Sequence, residues 1–285
     1  MAKFTVLITL LTYMSINCKI VENNEESNDN HIRFLVTSKI TATQDNIDTL
    51  GAAAYYAILA GSAITNTGTT NVSGDVGVSP GSSITGVALT ITNGELHAGD
   101  SSSQIAQNAV SNAFNKIYVM PGAVDLSGKD LSGLSLSAGL YKYNVTVECL
   151  LSTGMLTLDA KGDANAKWIF QIGSSFVAGI NSQVNLINSA SALNIYWLVG
   201  SSATLNERAI MKGNIIAAAS ITFGNFATLE GRALARSGAI TLQSNTIEVK
   251  AGISTNASSN YTTSNSSYTN FKWITVFLFA IFWMI

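Results

Sequence analysis

The chain has 285 residues, 47% apolar and only 11% charged, with 15 Lys and Arg against 17 Asp and Glu. This excludes the basic surface that gripping a nucleic-acid backbone needs, a disordered chain poor in aliphatic residues, and, with 2 Cys, a disulfide-dense scaffold. The polar surface must come from 27 Thr, 33 Ser and 26 Asn, and with 23 Gly that composition suits an all-β solenoid.

Met1-Ala-Lys3 is a short basic start, and Phe4 to Met14 is an apolar run too short to span a bilayer comfortably. It reads as a secretory signal peptide, residues 1–18, cut around Ser15 to Cys18. The alternative is a buried N-terminal strand. If the cut follows Cys18, Cys149 is left alone and no intramolecular disulfide can form. Residues 19–46 form a polar, acidic leader with one apolar patch at Ile32 to Val36, and the globular domain is expected over 47–250.

The first part of that domain uses a solenoid vocabulary irregularly: Ala63-Ile-Thr-Asn66, Gly81-Ser-Ser-Ile-Thr-Gly86, Leu126-Ser-Gly128 and Leu131-Ser-Gly133. A helix is predicted at about 101–118. Ser101-Ser-Ser-Gln104 matches a capping box. Ile105, Ala109, Ala113 and Ile117, flanked by Val110 and Phe114, recur at helical spacing. Gln107, Asn108, Ser111, Asn112 and Lys116 lie opposite, and Pro121-Gly122 follows the end. The apolar stripe is expected to pack against the solenoid's side.

The second half repeats openly. Gly213-Asn-Ile-Ile-Ala recurs 18 residues later as Gly231-Arg-Ala-Leu-Ala, Ile221-Thr222-Phe223 as Ile240-Thr241-Leu242, and Ala227-Thr228-Leu229 as Asn245-Thr246-Ile247. Each unit therefore has about 18 residues and three short strands, separated by Gly, Ser and Asn that tolerate corner conformations. Three strands per turn make a triangular coil, and stacked coils bury a continuous core that no single coil could.

Residues 251–270 are almost only Ser, Thr, Asn and Tyr, and 271–285 are almost wholly apolar. A small-residue site (Ser258, Ser259 or Asn260), a polar spacer and an apolar end match a GPI-attachment signal. A membrane anchor, or a tail packed on the domain, is the alternative. Five Asn-x-Ser/Thr sequons occur, at Asn71, Asn144, Asn256, Asn260 and Asn265, and the three in the spacer are the expected glycosylation sites. These ends place the chain in the secretory pathway, extracellular or anchored at the cell surface.

Neighbours along a strand face opposite sides. In Ile221-Thr222-Phe223 the apolar flanks turn inward, so Thr222 faces out. The same logic puts Thr241, Thr204, Thr146, Thr65 and Thr85 outward, and Val177, after Gly173-Ser-Ser, takes the position of Thr204. A shared face would bear a column of stiff β-branched side chains, each pairing a methyl with a hydroxyl. Such a surface can hold ordered water between methyls and anchor it by hydrogen bonds. Thr is also an ordinary solvent-facing strand residue. A weaker column of Thr228 and Thr246, with Ile210 at the equivalent site, means that periodicity alone does not choose the binding face.

Several runs together resemble a known family. These are Leu50-Gly-Ala-Ala-Ala-Tyr-Tyr-Ala-Ile-Leu-Ala-Gly61, then Gly74-Asp-Val-Gly-Val-Ser-Pro-Gly81, His97-Ala-Gly-Asp100, Gly139-Leu-Tyr-Lys142, Trp168-Ile-Phe-Gln-Ile-Gly173 and Gly231-Arg-Ala-Leu-Ala-Arg236. In this order, over about 47–250, they resemble the microbial ice-binding (antifreeze) proteins with a discontinuous β-solenoid. The resemblance implies a mainly β fold: a right-handed triangular β-solenoid with one long α-helix alongside and the first coil stacked out of sequence order. It implies ice as the partner, adsorbed on a flat face bearing Thr65, Thr85, Thr146, Val177, Thr204, Thr222 and Thr241. Adsorption would leave ice to grow as curved fronts between bound molecules, giving thermal hysteresis and slowing recrystallisation. No cofactor or metal, no nucleic acid and a monomer are expected, with membrane contact only through the tail.

An enzyme of triangular-solenoid type would need clustered carboxylates or a metal site. The acids here, among them Asp75, Asp125, Glu148, Asp159, Glu207 and Glu230, are scattered, and His97 with Asp100 reads as a helix-start arrangement. No enzyme is expected. The second rival is a cell-surface adhesion or glycan-binding solenoid.

Overall fold

The computed structural model describes residues 49–144 and 148–250. The signal, leader, spacer and tail readings, Asn256, Asn260, Asn265 and Thr146 lie outside the described residues.

The strands pair in parallel throughout, in one 15-stranded and one 7-stranded sheet. The larger sheet is two faces of a triangular β-solenoid, joined where the strands Ile210–Ala217 and Thr228–Ala235 run continuously round a corner. Gly213 and Gly231 make that corner, with φ of 113° and 142°. A Cβ on Gly231 would sit 2.0 Å from the Gly213 carbonyl oxygen, so no other residue fits the stacked bend.

The first coil is stacked out of sequence order. The strand Ala63–Thr67 lies between Ile240–Gln243, from the other end of the domain, and Ser83–Gly86. Tyr56–Ala60 likewise inserts between Thr228–Ala235 and Asp75–Val78. The 18-residue repeat holds only where a strand rounds the Gly corner. In the coils below, that corner is a loop between two separate strands, as between Met155–Asp159 and Trp168–Ile172, and successive equivalent positions lie further apart.

Core side chains match this taper. The column Tyr141, Phe170, Trp197, Ile215, Ala233, Ile58, Val76 runs along the axis from large to small. The Phe170 and Trp197 rings stack at 4.1 Å, and Phe176 lies 5.0 Å from Trp197. Wide coils are filled by aromatics and narrow coils by Ile, Val and Ala, which keeps the interior dense. Cys149 is buried in the same core without a disulfide, and burial pushes its thiol pKa up.

One face is covered by the helix α1 (Ser101–Tyr118). Ala106, Val110, Ala113, Phe114 and Ile117 pack on Tyr56, Leu59, Tyr196, Leu198, Ile216 and Leu234. The buried stripe is rotated from the predicted one. Ile105 is 60% exposed, whereas Gln107 is buried and its amide donates to the Ala235 and Arg236 carbonyls at the sheet edge. Exposed carbonyls at the strand end reward an amide more than a methylene. The cap also differs from the expected Ser101…Gln104 box. Asp100 is the N-cap, its carboxylate accepting from the Ser103 N–H at 2.8 Å. His97 Nδ1 lies 2.8 Å from the other carboxylate oxygen. The Ser103 amide and then His97 lower the Asp100 pKa to about 2.

Candidate functional site

The 7-stranded sheet forms a face that α1 leaves uncovered. Its strand order is Cys149–Leu151, Phe176–Ala178, Ala203–Leu205, Ile221–Phe223, Ile240–Gln243, Ala63–Thr67, Ser83–Gly86. The middle residue of each three-residue strand points outward between buried neighbours: Thr204 between Ala203 and Leu205, Thr222 between Ile221 and Phe223. Cα register then places Val177, Thr204, Thr222, Thr241, Thr65 and Thr85 in one continuous column. Spacing is that of adjacent strands, about 4.8 Å. Thr65 Oγ1 and Thr85 Oγ1 are 3.4 Å apart, so the hydroxyls form a row.

The column's remaining place, which the sequence reading gives to Thr146, belongs to Leu150, paired with Val177 and 37% exposed. The spacing signals this: Leu150 precedes Val177 by the same 27 residues that separate Val177 from Thr204. The Val-Thr-Val pattern around Thr146 mimics a strand and masks that period.

A second column escaped the sequence reading. The residue before each inward-facing strand start also faces out: Ser175, Ser202, Ser220, Ala239, Ala63 and Ser83. Backbone N–H groups of Phe176, Ala203 and Ile221 bond to the carbonyls of Ser202, Ser220 and Ala239, so these residues stay in register. The Ser202 and Ser220 hydroxyls in turn accept from the Ser220 and Ala239 N–H groups at 3.3 Å, which fixes their rotamers. The signal was Ser-x-Thr or Ala-x-Thr at 202–204, 220–222, 239–241, 63–65 and 83–85. Thr and small side chains thus stand in two parallel rows about 6.7 Å apart along the strands. The rows carry no ionisable side chain until Glu148 at the foot, which accepts from the Ser175 hydroxyl at 2.7 Å.

Corner asparagines hold the edge of this face. Asn245 Nδ2 donates to the Gly224 and Ala227 carbonyls, Asn66 Nδ2 to those of Gly68 and Val87, and Asn206 Nδ2 to that of Ala178. Each amide satisfies turn carbonyls that the ladder leaves open, so the corner is rigid.

The third face is chemically different. Its outward positions include Ile210, Thr228 and Thr246 in register, and beside them Lys212, Glu230 and Glu248. Glu230 accepts from Lys212 Nζ at 2.8 Å and from Lys250 Nζ at 3.1 Å. Burial pushes the Glu230 pKa up, but the two ammonium groups outweigh it and leave the carboxyl below its ordinary value. Among the described residues no three His, Cys, Asp or Glu side chains come together where they could hold a metal ion.

A model of the ice-binding-like family matches residues 58–248. An ice-binding protein of Nostoc sp. strain HG1 is 39% identical over 203 residues, covering 71% of this chain and 74% of that relative. A crystal structure of an ice-binding protein from an Antarctic biological consortium is similar with a TM-score of 0.67 at 42% identity, covering 70% of this chain and 89% of that one. An ice-binding protein from the Antarctic ascomycete Antarctomyces psychrotrophicus gives 0.66 at 39% identity, covering 71% and 98%.

Proposed function

Because this chain belongs to the ice-binding-like family, we propose that it adsorbs to ice through the face bearing Val177, Thr204, Thr222, Thr241, Thr65 and Thr85. One observation carries the choice of face. Five Thr stand on consecutive strands in a single register column, beside a row of Ser and Ala and without charge. A crystal lattice is periodic, and a periodic surface can match it over many cells at once. Each contact is weak: a methyl that excludes water on one side and a hydroxyl that anchors one water on the other. Rigid rotamers mean little entropy is lost on docking, so the contacts sum over the face. Attached molecules force ice to grow as curved fronts between them, which depresses freezing without depressing melting. Leu150 at the foot of the column and Val177 above it supply methyls but no hydroxyl, so the upper coils anchor water best.

Further parts of the reading concern the chain ends. Residues 1–18 direct the chain into the secretory pathway, and 251–270 form a spacer glycosylated at Asn256, Asn260 and Asn265. Residues 271–285 are a GPI-attachment signal or a membrane anchor. The solenoid acts as a monomer without a cofactor. Release from cells by phosphatidylinositol-specific phospholipase distinguishes the two kinds of attachment.

The face is tested by T222Y and T241Y in the full chain. Both side chains are exposed, so the fold tolerates the ring, but its bulk lifts the surface off a plane. Hysteresis is expected to fall sharply with the melting temperature of the protein unchanged. Full hysteresis in both variants overturns the choice of face.

A further inference from the structure

One sequon inside the solenoid, Asn71-Val72-Ser73, lies apart from the ice-adsorbing rows. We propose that Asn71 carries an N-linked glycan, set on the charged face beside the open end of the stack. The inference rests on the reading that the chain enters the secretory pathway.

In the strand Asn71–Ser73, Val72 is buried in the core, which turns Asn71 and Ser73 outward. Asn71 is exposed, and its backbone is already satisfied, the N–H donating to the Asn245 carbonyl at 2.9 Å. Among the described residues its side-chain amide makes no hydrogen bond. The buried asparagines contrast with it: Asn66, Asn214 and Asn245 each spend both amide protons on carbonyls, and a sugar on any of them would break the fold. On the sheet Asn71 is flanked by Thr246 and Thr90, both short and exposed, so a sugar attached to Nδ2 has open space above it.

The position suits a bulky group. Thr90–Thr92 is the outermost strand on this side of the sheet, and Asn71–Ser73 is the next one in. An unpaired strand edge invites pairing with a second copy, and a glycan one strand away obstructs it. Asn71 also lies past the corner from Thr67, on a different face from the Thr column, so the glycan leaves the ice-adsorbing surface clear.

The step is a glycosyl transfer from a lipid-pyrophosphate-linked oligosaccharide, made on the extended chain before it folds. Nδ2 of Asn71 bonds to the sugar C1, the C1–O bond to pyrophosphate breaks, the lipid pyrophosphate leaves, and one amide proton passes to a base of the transferase. The hydroxyl of Ser73 is the group that the transferase requires two residues on.

The test is expression of the full chain in a eukaryotic secretory host, with peptide mass mapping after enzymatic deglycosylation in heavy-oxygen water, which turns each glycosylated Asn into labelled Asp. Labelled Asp is expected at position 71, lost in N71Q and S73A and retained in S73T. An unlabelled Asn71 in a chain that has lost residues 1–18 overturns the proposal. A chain that keeps residues 1–18 overturns the secretory reading beneath it.

Discussion

The two uncovered faces of the solenoid are built from the same coils and the same parallel ladders, yet they differ in what each column repeats. On one, consecutive strands present Thr204, Thr222, Thr241, Thr65 and Thr85. On the other, a column passes from Ile210 through Thr228 and Thr246 to Asn71, beside Lys212, Glu230 and Glu248. A parallel ladder repeats the position but leaves the side chain free, so the fold alone does not make a periodic surface. The charged face shows what a solvated strand surface looks like when only solubility is asked of it. Thr on that face is bland because its neighbours vary, whereas Thr on the other is informative because they do not.

Charge is the most forceful way to break this contrast. Thr222→Lys puts a hydrated ammonium into a row without ionisable groups, and most of the hysteresis should disappear. Thr246→Lys, on the charged face and also exposed, should leave it intact. A hysteresis assay on both reads the difference directly, and equal losses would erase the distinction between the faces.

Stability offers a second contrast, between surface and interior. Arg232 is only 5% exposed and has no carboxylate partner. Its Nε and one terminal nitrogen donate to the Ala54 carbonyl, and the other donates to Asn214 Oδ1 at 2.8 Å. Burial lowers its pKa to about 10. Arg232→Met strands those acceptors and should cost about 2–4 kcal/mol, seen as a fall of several degrees in Tm. The folded fraction should still bind ice, because the rows of the Thr face do not include it.

Completing the column should have a smaller effect, in the opposite direction. Val177→Thr and Leu150→Thr supply the missing hydroxyls. Each should raise hysteresis modestly, Leu150→Thr the more because it also removes the bulkier side chain. No gain from either would mean that the lower coils lie outside the contact area.

The smallest effect concerns pH. The rows contain no titratable group above Glu148, so hysteresis should be flat from about pH 5 to about pH 9. Asp100 acts only at lower pH. Its folded pKa lies below its unfolded one, so its contribution is present above the unfolded value and is lost as pH falls from 3.8 towards about 2. Helix loosening in acid, followed by circular dichroism, would report that step.

Much of this architecture was legible because inward and outward residues alternate strictly over three-residue strands, so Ile-Thr-Phe and Ile-Thr-Leu disclose both a core and a surface. What stayed hidden has physical reasons. The coil period changes where a Gly corner gives way to a loop, so an 18-residue ruler misplaces the lowest row and selects Thr146 over Leu150. Ser202, Ser220 and Ala239 look like corner residues by composition, and only the pairing of the next strand shows that they extend the flat face. Asp100 and Gln107 were misjudged for a common reason. Local helix rules cannot see a carboxylate already held by His97, nor carbonyls that arrive from the end of a distant strand.

The most direct test sets two double variants side by side, T222Y/T241Y on the Thr face and T228Y/T246Y on the charged face, with hysteresis measured on single ice crystals at equal folded concentration. The account predicts that the first loses nearly all activity and the second keeps it. The reverse pattern, or an equal loss in both, would contradict the claim that one uncharged, registered face meets the ice.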